Sequence, residues 1–262
     1  MRSIAAAARD VLCAGDPVEK RKAARAAARD WRGGRLAHVF DVAMPDRPAR
    51  PDRPELLPPN RMPRRTGSQR GRIALIHALA HIEFVAIDLA FDAVGRFGGQ
   101  FPRGFVDDWI AVGADEAMHF ALLDRRLRSL GSHYGALPAH DGLWDAAMAT
   151  ADDAHGRLAV VPMVLEARGL DVTPATIERF AHANDAPTVR ILQRILTDEV
   201  RHVRAGTVWF EHACRRDSLD AAKHWQDMVA RYFRGAIRGP FNDSARATAG
   251  LTRDYYGAIA VS

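Results

Sequence analysis

The chain of 262 residues has little of several things, and each scarcity narrows what it can be. It holds two cysteines, Cys13 and Cys214, far apart and at no metal or redox spacing, so they read as reduced thiols and exclude a disulfide scaffold. No run of about 18 uninterrupted apolar residues occurs, so no membrane span is expected. The short apolar stretch at the N-terminus is cut by Arg9 and Asp10, which argues against a secretory signal and makes the cytoplasm the expected location. Strand alternation is missing throughout, and glutamate is rare: eight stand against eleven histidines. Aromatic residues make up only 8%, too few for an aromatic-studded basic surface.

Charge is unevenly placed. Residues 1–72 carry 17 Lys/Arg against 8 Asp/Glu, while the rest carries 20 against 24. The basic character belongs to the N-terminal segment, which suits an Arg-rich solvated arm or contact with nucleic acid, an anionic substrate or an acidic partner. Residues 3–32 look helical, with Asp16-Pro17 as a cap and first-turn proline. Between Asp41 and Arg70 lie seven of the 14 prolines, which rules out a helix and predicts an extended strap packed on the core. Long helical patterns follow at 69–96, 104–130, 142–168 and 187–216, with a short helix opened by Thr173-Pro174, a last helix near 219–236 and a frayed tail. The expected architecture is all-α: an N-terminal helix and proline-rich strap over 1–70, a ferritin-like four-helix bundle over 71–216, and a C-terminal helical extension over 217–262.

The rare glutamates are not scattered. Random placement yields about a third of one Glu-x-x-His in such a chain, yet there are two, Glu116-Ala-Met-His119 and Glu199-Val-Arg-His202. Each sits mid-helix behind an aspartate, Asp115 or Asp198, and the i,i+3 spacing puts Glu and His on one face. Glu83 and Glu166 lie on the other two long helices, each 33 residues before its partner motif and each among apolar neighbours. A buried carboxylate needs a partner, either an arginine or a metal. One Glu from each of two helices plus Glu-x-x-His from the other two is the two-metal carboxylate pattern of ferritin-like bundles. Carboxylate and imidazole donors suit hard divalent ions: two Fe ions, with Mn/Fe or Mn/Mn as alternatives.

Asp115 and Asp198 suit acceptance of the free ring N–H of a ligand histidine, or else are exposed helical aspartates. His77 and His81 form an i,i+4 pair that either binds metal near the pocket or packs and hydrogen-bonds. Pro162, four residues before Glu166, is expected to bend or open the third helix. His155, His182, His212 and His224 show no partner in sequence.

From about Gly71 to Phe210 the chain resembles the ferritin-like family called domain of unknown function 455, through HALAHIEFVAIDLAFD, FVDDWIAVGADEAMHF, GALPAHDGLWDAA, VLEARGLDVTP and LTDEVRHV. The resemblance implies a ferritin-like fold and a di-metal centre at Glu83, Glu116, His119, Glu166, Glu199 and His202. Met163 departs from a basic residue at that place in the family, which alters the pocket and not the ligands. The function expected is an oxygenase or oxidoreductase that activates O2 to oxidise or hydroxylate a substrate, fed by an external electron donor. The substrate is a small molecule or, by analogy with ferritin-like tRNA hydroxylases, RNA. A ferroxidase or metal-handling protein and a metal-stapled structural bundle are the alternatives, and a homodimer is the default assembly.

Overall fold

The computed structural model describes residues 1–261 and has an all-α fold, with Met1–Gly142 and Leu143–Ser262 forming two compact units. The boundary falls within the 71–216 segment that the sequence reading treats as one bundle.

In the first unit, α1 (Ile4–Cys13) and α2 (Pro17–Arg32) replace the single 3–32 pattern. Asp16 breaks it, its carboxylate accepting from the N–H groups of Val18 and Glu19 ahead of Pro17. α3 (Gln69–Phe97) is capped by the Ser68 hydroxyl, and α4 (Arg103–Ser129) follows after only five residues, so the two form an antiparallel hairpin. Gly113 allows the close approach: a Cβ there would lie 2.6 Å from the Phe91 ring. α1 packs on α3 and α2 on α4. α3 is long and apolar enough to cross a membrane, but 78% of its apolar window is buried in protein, as in a core helix.

The strap is packed, as its prolines predict. Phe40 lies against Gly98, Met44 against Gly95, and Leu56 bridges Ala139. Arg50 reaches in to Asp88, which also receives the buried Lys20 ammonium at 2.5 Å. Lys20 lies on the same face of α2 as buried Ala24, Ala27 and Trp31. Part of the basic N-terminal segment is therefore neutralised inside the unit; it is not a free arm.

The second unit departs further from expectation. The 142–168 pattern is cut into α5 (Gly142–Met148) and α6 (Ala154–Val160), because Asp153 caps Gly156 N–H and starts a new helix. A π-helical turn, Val161–Glu166, leads directly into α7 (Ala167–His182). Gly169 does not end the helix, which runs on to His182 through this half-buried position. Pro174 lies inside α7 and opens no helix. Its ring cannot donate to the Leu170 carbonyl, and the side-chain amide of Asn242 does so instead, at 3.2 Å.

α8 (Ala186–Arg216) is capped by Asp185 and packs along α7 and the π turn. α9 (Ala221–Tyr232) is shorter than expected. The tail is not frayed: α10 (Asp243–Thr248) and α11 (Arg253–Tyr256) are held by a bidentate Arg246–Asp171 pair at 2.8 and 2.7 Å, and by Tyr255 donating to Glu211. Among the described residues strands are two residues long, β1 (Arg2–Ser3) with β2 (Leu36–Ala37) and β3 (Ile237–Arg238) with β4 (Ala260–Val261), both parallel.

Candidate metal centre

The α3–α4 hairpin brings Glu83 level with Glu116 and His119. Their ligand-type atoms lie within 4.8 Å of one another, and His119 Nδ1 stands 3.2 Å from Glu83 Oε2 and 3.4 Å from Glu116 Oε2. All three side chains are buried. Burial, then the charge of Glu116, pushes the Glu83 carboxyl well above the usual carboxylate range. Burial works against the His119 cation, but its hydrogen bonds to Glu116 and Glu83 outweigh that and push it up to about 11. Without a metal the trio must hold a proton; a divalent cation satisfies the same lone pairs.

The second unit supplies the other proposed ligands. Glu199 and His202 are buried on α8, with Glu199 Oε1 3.6 Å from His202 Nδ1. Glu199 Oε2 is buried and accepts no hydrogen bond, which is costly for a carboxylate and fits a position meant for a cation. Glu166 is half-buried at the end of the π turn, where Pro162 opens the helix as the sequence predicts. Gly206 of α8 accommodates that proline: a Cβ there would lie 2.5 Å from the ring. Trp225 Nε1 donates to the Ala159 carbonyl beside the turn, at 3.2 Å.

Asp198 is buried and held by Arg194 Nε at 2.6 Å and by Arg201 at 2.5 Å, whereas Asp115 is half-buried. Met163 is fully buried and lines a cavity of about 270 Å³ with Trp225, Phe233 and Phe241.

His77 and His81 are not brought to the ligands and have structural work of their own. His81 bonds Tyr134 OH at 2.9 Å and the His140 carbonyl at 3.2 Å. His77 Nε2 accepts from Gly135 N–H at 2.9 Å, where φ of +95° favours glycine. They tie the 130–142 connection to α3. Burial keeps both imidazoles neutral, lowered to about 4 for His77 and about 3 for His81.

The sequence reading did not single out Tyr134. It is buried beside His81, Phe84 and Phe120, and lines a cavity of about 690 Å³ with Arg21, Arg53, Arg125 and Arg128. No periodicity marks it, because it lies in a connection.

The donor types, four carboxylates and two imidazoles without a thiolate, fit hard divalent ions such as Fe(II) or Mn(II). Residues 13–257 match the family described as "Protein of unknown function (DUF455)", well beyond the 71–210 stretch that carries the resemblance in sequence. A protein of Haemophilus influenzae described as uncharacterized is 42% identical over 210 residues, covering 78% of this chain and 73% of the relative. No solved structure matches the chain. The chain belongs to the DUF455 family.

Proposed function

For this DUF455 protein, we propose a ferritin-like di-iron carboxylate oxidoreductase that uses O2 to oxidise or hydroxylate a small-molecule substrate. The observation that carries the reading is the buried convergence of Glu83, Glu116 and His119, whose carboxylate and imidazole ligand atoms lie within 4.8 Å of one another. The matching set of donors in the second unit is Glu166, Glu199 and His202, and Glu199 brings a buried carboxylate oxygen with no hydrogen bond.

Glu83, Glu116 and His119 would hold metal from a regular hairpin. His119 gives up its proton when metal loads, so loading releases acid. Glu166 sits on the open turn and has the freedom to change its binding mode as charge changes. The bound iron pair would supply the redox and Lewis-acid chemistry of O2 activation. In balance, one oxygen atom enters a substrate C–H bond and the other leaves as water, with two electrons and two protons from an external reductant. The thiols Cys13 and Cys214 are free, as suits the reducing cytoplasm proposed for the protein.

Protein loaded anaerobically with Fe(II) and then exposed to O2 should consume O2 in proportion to iron, with a transient change in optical absorption. Glu83→Gln should abolish the reaction. A wild-type protein that binds two Fe(II) and leaves O2 untouched would defeat the enzymatic reading.

A further inference from the structure

A second donor cluster lies wholly within the second unit, on α6, α8 and α9. His155, Cys214 and His224 each offer a ligand atom, and these atoms lie within 4.8 Å of one another. The two imidazoles meet edge to face, with His224 Nε2 at 3.0 Å from His155 Nδ1. A tetrahedral zinc ion about 2.0–2.1 Å from each nitrogen would set them about 3.3 Å apart, so a shift of a few tenths of an ångström would admit it.

The second ring nitrogen of His155 is already committed. Nε2 lies 3.0 Å from Asp217 Oδ2, and Asp217 is itself gripped by Arg216 at 2.8 and 2.9 Å. A carboxylate on that nitrogen fixes the tautomer in which Nε2 carries the proton and Nδ1 presents its lone pair to the cluster. Phe210 packs against both imidazoles and limits how they can turn. Cys214 is buried, and its thiol is pushed up to about 11 by burial. A thiol there has no use as a nucleophile unless a cation stabilises the thiolate.

We propose that His155 Nδ1, Cys214 Sγ and His224 Nε2 form a zinc(II) site of the second unit, with Asp217 positioning His155 and a fourth place left to solvent. The site is independent of the proposed di-iron centre and differs from it in kind. Thiolate with two imidazoles selects zinc, whereas carboxylates with imidazole select iron or manganese. On binding, the Cys214 thiol loses its proton to solvent and forms the Zn–S bond, and the His224 proton moves to Nδ1. The ion would clamp the start of α6 to the end of α8 and to α9, the helix whose Trp225 supports the π turn.

Cobalt(II) titration of metal-free Cys13→Ser protein tests this, because Cys214 is then the sole thiol. Thiolate ligation gives a sulfur-to-cobalt charge-transfer band in the near ultraviolet that carboxylate sites cannot give. The band should reach the amplitude of one thiolate-bound cobalt per chain within three cobalt added, since the proposed di-metal centre takes up to two, and excess zinc, which binds such donors more tightly than cobalt, should bleach it. Asp217→Ala in that background should weaken cobalt binding by about 10-fold or more. Full cobalt loading without the band overturns the proposal, as does a band that persists in Cys214→Ser.

Discussion

The same motif, Asp-Glu-x-x-His, stands on α4 and on α8, and the two copies live in different surroundings. On α4 the histidine bonds two buried glutamates, and the partner helix α3 runs 29 residues without a break. On α8 the histidine stands 3.6 Å from its glutamate, and Glu166 ends a π turn that contains Pro162 and leads into a helix interrupted by Pro174. The difference teaches that one motif is held by regular helix packing and the other by contacts from later in the chain. Asn242 takes the Leu170 carbonyl, Arg246 takes Asp171, and Trp225 takes the Ala159 carbonyl. All three contacts come from the C-terminal extension, which supports a helix that its own prolines have opened.

The comparison can be broken most forcefully at Asp171. Asp171→Ala strands the buried Arg246 guanidinium and should cost about 3–5 kcal/mol in urea denaturation. Amide exchange should accelerate around the π turn while the α3–α4 hairpin keeps its protection. Equal loss in both units would mean the distortion does not depend on the extension.

Acid probes the first unit next. His77 and His81 have folded pKa values below the ordinary 6.5, so the fold favours their neutral forms. Their contribution is complete above pH 6.5 and is lost as pH falls toward about 4 for His77 and about 3 for His81. Stability should drop by up to about 1.4 kcal/mol per pH unit for each, and His81→Gln should remove its share of the slope.

Gly206→Ala drives a methyl into the Pro162 ring and should cost about 1–3 kcal/mol, read by thermal unfolding. Pro162→Ala in the same chain should recover more than an additive sum allows, because the two residues touch. Trp225→Phe deletes the hydrogen bond to the Ala159 carbonyl and leaves a void beside the fully buried indole's place, and should cost about 1–3 kcal/mol, with a less protected π turn.

How much of this could be read from the sequence follows the same division. α3, α4 and α8 were legible because apolar periodicity, caps and short connections agree, and the hairpin alone brings Glu83, Glu116 and His119 together. The third segment was misread at Gly169 and Pro174, where local stop signals lose to tertiary repair by Asn242. Asp153 carried a cap signal that a purely periodic reading overran. The Lys20–Asp88 pair was within reach, since Lys20 shares the buried face of α2. His155, Cys214 and His224 were not, because three helices must pack before their spacing means anything.

Anaerobic equilibrium titration with Fe(II), followed by iron and protein analysis, addresses the central claim most directly. Run on Cys214→Ser protein, to exclude the thiolate site, it should give two Fe(II) per chain, falling below two in both Glu116→Gln and Glu199→Gln. One Fe(II) or none, or two that survive both substitutions, would contradict the proposed di-metal centre.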